Sequence, residues 1–181
     1  MTNSSTSRSQ PVVVIPEDDP QRQLTVANAD DPKMRHVSVA GDTYTILVSG
    51  AETAGRYCLI DMHVPAGGGP PPHRHDFEEM FTLLEGELEL SFRGKTSTVR
   101  AGSTVNIPAN APHAFKNISG AAVRMLCMAM PAGLEEFFLE IGDPVDGRTA
   151  PPPKLTPEEL GERVKKLASL LAKYRTEMVM T

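Results

Sequence analysis

Between residues 34 and 131 the chain is cut into short β-prone segments by Gly, Pro and Asn, and this punctuation leaves no room for a long helix. His36–Val39 runs into a Gly41-Asp42 turn, Thr43–Val48 is rich in β-branched residues, and Arg56–Val64 is closed by Pro65. The block Gly67-Gly68-Gly69-Pro70-Pro71-Pro72 then makes a stiff loop that cannot be helical. Glu79–Leu84 and Glu87–Phe92 flank Gly86, and Arg93-Gly94-Lys95 forms the next turn. Thr96–Val99, Thr104–Ile107, Ala114–Asn117 and Val123–Met130 follow. In Glu87–Phe92 the apolar residues Leu88, Leu90 and Phe92 alternate with Glu87, Glu89 and Ser91, the pattern of a strand with one wet face. Short strands at close spacing predict an all-β domain, a closed sandwich or barrel. With aromatics at only 5% and no Trp, its core must be aliphatic, with Met80, Met125, Met128 and Met130 as filler.

The flanks differ from this centre. Residues 1–11 are rich in Ser and Thr and read as a disordered tail. Residues 12–33 form an N-terminal arm, with Val12–Ile15 as a candidate edge strand. The barrel spans 34–131, and 132–181 is a helical extension. Within the extension, Gly133–Ile141 predicts a short helix with Leu134, Phe137, Phe138 and Ile141 on one face. After a Pro/Gly linker, Thr156-Pro157-Glu158-Glu159 is a helix start: Thr at the N-cap, Pro at N1 and Glu at N3. Leu160, Val164, Leu167, Leu171 and Tyr174 give that helix an apolar stripe. The stripe either packs on its own barrel or swaps onto a neighbouring subunit.

A net charge of −5 without clustered Lys or Arg argues against nucleic acid and anionic membrane as partners. No helix-turn-helix pattern precedes the barrel, which disfavours a regulator. No apolar run approaches a membrane span or a secretory leader. Cys58 and Cys127 lie in apolar stretches and read as buried thiols in a reducing compartment, so the expectation is a soluble cytoplasmic protein.

Three of the five histidines fall in one arrangement. His73 and His75 are two apart, so on a strand both side chains leave the same face, and Glu79 shares their parity. His113 follows a Pro-Ala-Asn-Ala-Pro turn on a separate strand. Inside a small barrel the four can meet at one point. Three imidazoles and one carboxylate suit one divalent first-row ion (Fe, Mn, Ni, Co, Cu or Zn) and leave a position free on it.

These residues carry a resemblance. Gly67 to Gly86 reads G-x5-H-x-H-x3-E-x6-G, and Gly102 to Asn117 reads G-x5-P-x-N-x2-H-x3-N. Both are similar to the two signatures of the cupin superfamily. The one departure is Asn110, where the family usually has Gly; Asn tolerates the positive φ that such a turn asks of it. The resemblance implies a double-stranded β-helix, or jelly-roll barrel, here followed by short C-terminal α-helices. It implies His73, His75, Glu79 and His113 as metal ligands, and a homodimer. The single-barrel length and the Gly67–Pro72 loop resemble small bacterial quercetin-dioxygenase-like cupins. That likeness implies dioxygen-dependent cleavage of an aromatic or enolic small-molecule substrate, with Glu79 accepting the substrate's proton. Competing readings are a Lewis-acid isomerase or lyase and a non-enzymatic small-molecule-binding cupin.

By strand parity Phe81, Leu83 and Phe115 line the barrel interior, with Leu88, Leu90 and Phe92 as further candidates. His63, on the strand before the glycine loop, is a candidate pocket base. Asp76 is a candidate to orient His73 or His75, and Glu78 is expected on the outer face. Arg56, Tyr57 and Arg124 are candidates to reach a substrate's anionic group.

Overall fold

Period-two alternation organises the structure. In the computed structural model, which describes residues 14–179, the strands are β1 (Arg35–Val39), β2 (Asp42–Val48), β3 (Cys58–Val64), β4 (His73–His75), β5 (Glu78–Glu85) and β6 (Glu87–Phe92). They continue with β7 (Lys95–Arg100), β8 (Thr104–Ile107), β9 (His113–Lys116), β10 (Val123–Met130), β11 (Asp143–Pro144) and β12 (Thr176–Met178). Helices α1 (Gly50–Thr53), α2 (Leu134–Ile141) and α3 (Pro157–Leu170) complete the set.

The strands form two antiparallel sheets, in the orders β11-β1-β2-β3-β10-β5-β8 and β12-β4-β9-β6-β7. The architecture is the double-stranded β-helix with short C-terminal helices. The two ladders remain separate, so the barrel is not closed by hydrogen bonds; it is a sandwich held by its core. That core is seen where Phe81 of β5 meets Phe115 of β9 edge-to-face, with ring centroids 5.4 Å apart. In β10, Val123, Met125, Cys127 and Ala129 all point inward and are fully buried. Its small residues face large ones across the ladder, Cys127 opposite Phe81 and Ala129 opposite Glu79. Met62 and Met125 fill the core, whereas Met80 and Met128 lie half-buried on the outer face and Met130 is exposed, because their parity in β5 and β10 is the outward one.

The tail at 1–11 lies outside the described residues, as do Val12 and Val13. Val14 and Ile15 form no strand and are exposed, since Pro16 ends the run before a ladder can form. Thr156 caps α3 with the expected box: its side chain accepts from Glu159 N while Glu159 reaches back to Thr156 N. Only the C-terminal half of the α3 stripe is covered by this chain. Leu167, Leu171 and Tyr174 pack against the core, whereas Leu160 and Val164 stay exposed. The chain then turns at Arg175 and adds β12 beside β4, with Thr176 opposite His75. No helix among the described residues is long and apolar enough to cross a membrane.

Candidate metal centre

The glycine–proline loop ends at β4, whose His73 pairs directly with His113 of β9 in the five-stranded sheet. His75 lies two residues on. After Asp76 and Phe77 bend the chain, Glu79 belongs to the seven-stranded sheet. The ligand atoms of His73, His75, Glu79 and His113 all lie within 4.8 Å of one another. Two sheets therefore build the cluster. The shared parity of Glu79 with the histidines works across a sheet-to-sheet crossing rather than along one strand.

Backbone carbonyls fix each imidazole. Nδ1 of His73 donates to Pro71 O, Nδ1 of His75 to Phe77 O and Nδ1 of His113 to Ala111 O, each at 2.9 Å. A carbonyl only accepts, so the proton of each neutral ring sits on Nδ1 and the lone pair on Nε2. The His75 ring is further held by stacking on Phe77, with centroids 3.8 Å apart. The turn before His113 places Asn110 at φ +67°, the conformation expected of it, and Asn110 N donates to His75 O.

Nε2 of His75 and Nε2 of His113 each lie 3.1 Å from Glu79 Oε2. Lone pairs facing a carboxylate oxygen repel unless a cation, proton or metal lies among them. The donor set thus fits a metal ion on its own chemistry. A proton on Nε2 of a facing imidazole can fill the same place, and the electrostatics follow from that form. Burial works to raise Glu79, but hydrogen bonds and charge from His113 and His75 outweigh it and hold the carboxyl well below its usual range. Burial, assisted by the charge of His113, pushes His73 down to about 4. His113 feels burial downward, but its bond and attraction to Glu79 carry it above the usual value.

A cavity of about 130 Å³ opens beside the cluster. His73, His75, Glu79, Phe81 and Phe115 stand in its wall, and Leu167 and Leu171 cover it from the α3 side. Leu83 lies outside it: two residues beyond Phe81 on β5, it is almost fully buried in the core. Leu88 and Leu90 are likewise core, and Phe92 is half-buried beneath the Arg93 guanidinium.

His63 also stands away from the cavity. The parity of β3 turns Cys58, Ile60, Met62 and Val64 inward and leaves His63 on the outer face, opposite Arg124. Arg124 itself pairs with the buried Asp61 there, and Arg56 and Tyr57 are exposed before β3. Asp76 binds Arg175 rather than a histidine. Glu78 is not a free surface charge; its Oε1 accepts from Ala109 N and steadies the turn before His113.

Two features were not singled out from the sequence. Cys127 Sγ donates to Glu79 Oε1 at 3.3 Å, on the side of that carboxylate away from the histidines. Asp42 and Tyr44, on the inward face of β2, stand in the cavity wall. The Asp42-x-Tyr44 spacing carried the only available signal, a parity matching Ile46.

The cupin-domain pattern matches residues 60–129, which include all four candidate ligands. Residues 60–129 are a cupin domain. The chain is 26% identical over 109 residues to quercetin 2,3-dioxygenase of Bacillus subtilis, covering 60% of this chain and 32% of that protein. It is 31% identical over 74 residues to an uncharacterised protein of Methanocaldococcus jannaschii, covering 40% of this chain and 59% of that one. This cupin thus spans about a third of the first relative and under two thirds of the second. The structure is also similar to the polyketide cyclase RemF of Streptomyces resistomycificus, with a TM-score of 0.54 and 22% identity, covering 82% of this chain and 99% of that one. That similarity concerns the fold.

Proposed function

We propose that this cupin holds one divalent first-row metal ion on His73, His75, Glu79 and His113, and acts as a dioxygenase on a small aromatic or enolic molecule. The observation that carries the proposal is the convergence of three imidazoles and one carboxylate within 4.8 Å, with His73, His75 and Glu79 standing in the wall of an apolar cavity. Similarity to the Bacillus dioxygenase supports the oxygen chemistry. When bound, the ion supplies Lewis acidity and, if redox-active, a path for electrons to dioxygen.

The chain's own residues do the rest. Phe81 and Phe115 offer aromatic walls to a planar substrate. Leu167 and Leu171 reduce access of water. The carbonyls of Pro71, Phe77 and Ala111 keep the three rings aimed with Nε2 forward. Glu79 is the proton acceptor. A hydroxyl that approaches Glu79 from the cavity comes within hydrogen-bond reach of the carboxylate, which is ionised at neutral pH.

Elemental analysis combined with dioxygen uptake tests this reading. The purified chain is loaded separately with Fe, Mn, Ni, Co, Cu and Zn and offered flavonols and simple phenols. One ion per chain is expected, lost in His113→Ala without loss of the β-sheet circular dichroism signal, with uptake for at least one redox-active ion. One ion with no uptake under any loading would overturn the dioxygenase. Full occupancy in His113→Ala would overturn the ligand set.

A further inference from the structure

The cavity wall carries a second polar pair besides the metal cluster. Asp42 and Tyr44 project from the inward face of β2 into a lining otherwise dominated by side chains such as Met62, Phe81, Phe115 and Phe138. Tyr44 is held by its ring, which stacks on Phe138 with centroids 4.2 Å apart. Its hydroxyl donates to Asp42 Oδ2 at 3.2 Å, and Gly69 N donates to the same oxygen at 3.1 Å.

Asp42 is 3% exposed, and its Oδ1 has no hydrogen-bond partner among the described residues. That oxygen packs against Gly68, where a Cβ would collide with it. Burial pushes the Asp42 carboxyl up to about 7, against the opposing effect of its bonds from Tyr44 and Gly69. An under-bonded carboxyl in an apolar wall is destabilising, and such groups concentrate at binding sites.

The direction of the Tyr44–Asp42 bond decides what the pair recognises. Ionised Asp42 only accepts, so the Tyr44 O–H is committed to it and the Tyr44 oxygen has only lone pairs left to offer. Whatever meets that oxygen must donate. Carbonyls and ethers cannot.

We propose that Tyr44, oriented by Asp42, is a second attachment point in the metal cavity that accepts a hydrogen bond from a second hydroxyl of the ligand. The site then selects dihydroxylated aromatics or enediols, with one oxygen at the metal cluster and the other at Tyr44. This rests on the reading that the metal cluster takes a phenol or enol.

The test uses the zinc-loaded full chain, zinc being redox-silent, at about pH 8.5, where Asp42 is ionised. Phenol, catechol, resorcinol, hydroquinone and their monomethyl ethers are titrated calorimetrically. One diol is expected to bind roughly five- to tenfold more tightly than phenol, the gain typical of one additional hydrogen bond. Its methyl ether should bind like phenol. Tyr44→Phe keeps the ring on Phe138; it should abolish the diol advantage and leave phenol affinity within about twofold.

If phenol binds but no diol exceeds it, or if the advantage survives in Tyr44→Phe or in the methyl ether, this inference falls while the metal–phenol reading stands. If phenol and diol weaken together in Tyr44→Phe, Tyr44 shapes the cavity without contacting the ligand, and the inference also falls. If none of the compounds binds the zinc-loaded chain, both fall.

Discussion

Cys127 Sγ lies 3.3 Å from Oε1 of Glu79, while Oε2 of the same carboxylate faces His75 and His113. The thiol thus divides the two oxygens of Glu79 between distinct roles. A weak S–H donor occupies one and leaves the other basic. Cys127 is fully buried on β10, behind Glu79 and outside the cavity wall, so it acts through Glu79 alone.

Removal of that donor leaves Oε1 buried and unpaired. Cys127→Ala is expected to weaken metal binding by about tenfold, the usual consequence of losing a group that orients a ligand. Cys127→Ser, which restores a donor, should stay within about threefold of the parent. Competition with a chromophoric chelator measures both. Equal affinity in all three proteins would show that the thiol does not position Glu79.

Metal binding should stabilise the fold, because the four donors converge only in the folded chain. At free zinc of about 100 times Kd, unfolding should cost roughly 2.7 kcal/mol more than in chelator. Urea titrations with and without zinc read this difference. It should vanish in His113→Ala, and an undiminished zinc effect there would place the ion elsewhere.

Asp42 makes stability depend on pH with a defined sign. Its folded value is about 7 against an ordinary 3.8, so the folded state holds the proton more tightly than the unfolded one. Its favourable contribution is complete below about pH 4 and is lost as pH rises to about 7. The loss is on the order of 4 kcal/mol at most. Asp42→Asn should flatten this decline, so the variant gains on the parent between pH 5 and 8 (roughly). Parallel slopes in urea unfolding would show that Asp42 does not hold a proton there.

The glycine loop should tolerate no side chain at Gly69. It sits at φ +116°, and a Cβ there would collide with Phe115 O. Gly69→Ala should therefore cost about 3 kcal/mol or more. It should also loosen His73, whose Nδ1 partner Pro71 lies two residues on. Gly41, at φ +100° with open space around it, isolates the backbone contribution alone, and Gly41→Ala should cost about 1 kcal/mol. Thermal unfolding of the two variants separates strain from collision, and equal losses would dismiss the collision.

Much of this molecule was legible one strand at a time. Val123–Met130 and Thr104–Ile107 were bounded correctly because alternation and turn residues are local signals. The Thr156 cap was equally local. The short α1, capped by Ser49 and Glu52, went unread because four residues carry no periodicity. β12 also went unread: Thr176–Met178 is a strand only because β4 offers it an edge. The outward side of His63 is not legible in sequence either, because nothing in a single segment shows which face of β3 meets the core.

The identities and spacing of His73, His75, Glu79 and His113, with the turn residues around them, were written in the chain order itself, since ligand type follows from side-chain chemistry. Assembly of the folded chain decided the rest. It placed Glu79 in the sheet opposite the histidines, set Cys127 behind it, brought Asp42 and Tyr44 into the same cavity, and added Leu167 and Leu171 to the cavity wall. Most of those relationships join residues far apart in sequence, such as Glu79 and His113, 34 positions apart, and Glu79 and Cys127, 48 apart. Register and sheet choice create them, through the summed packing of many contacts that no local pattern encodes.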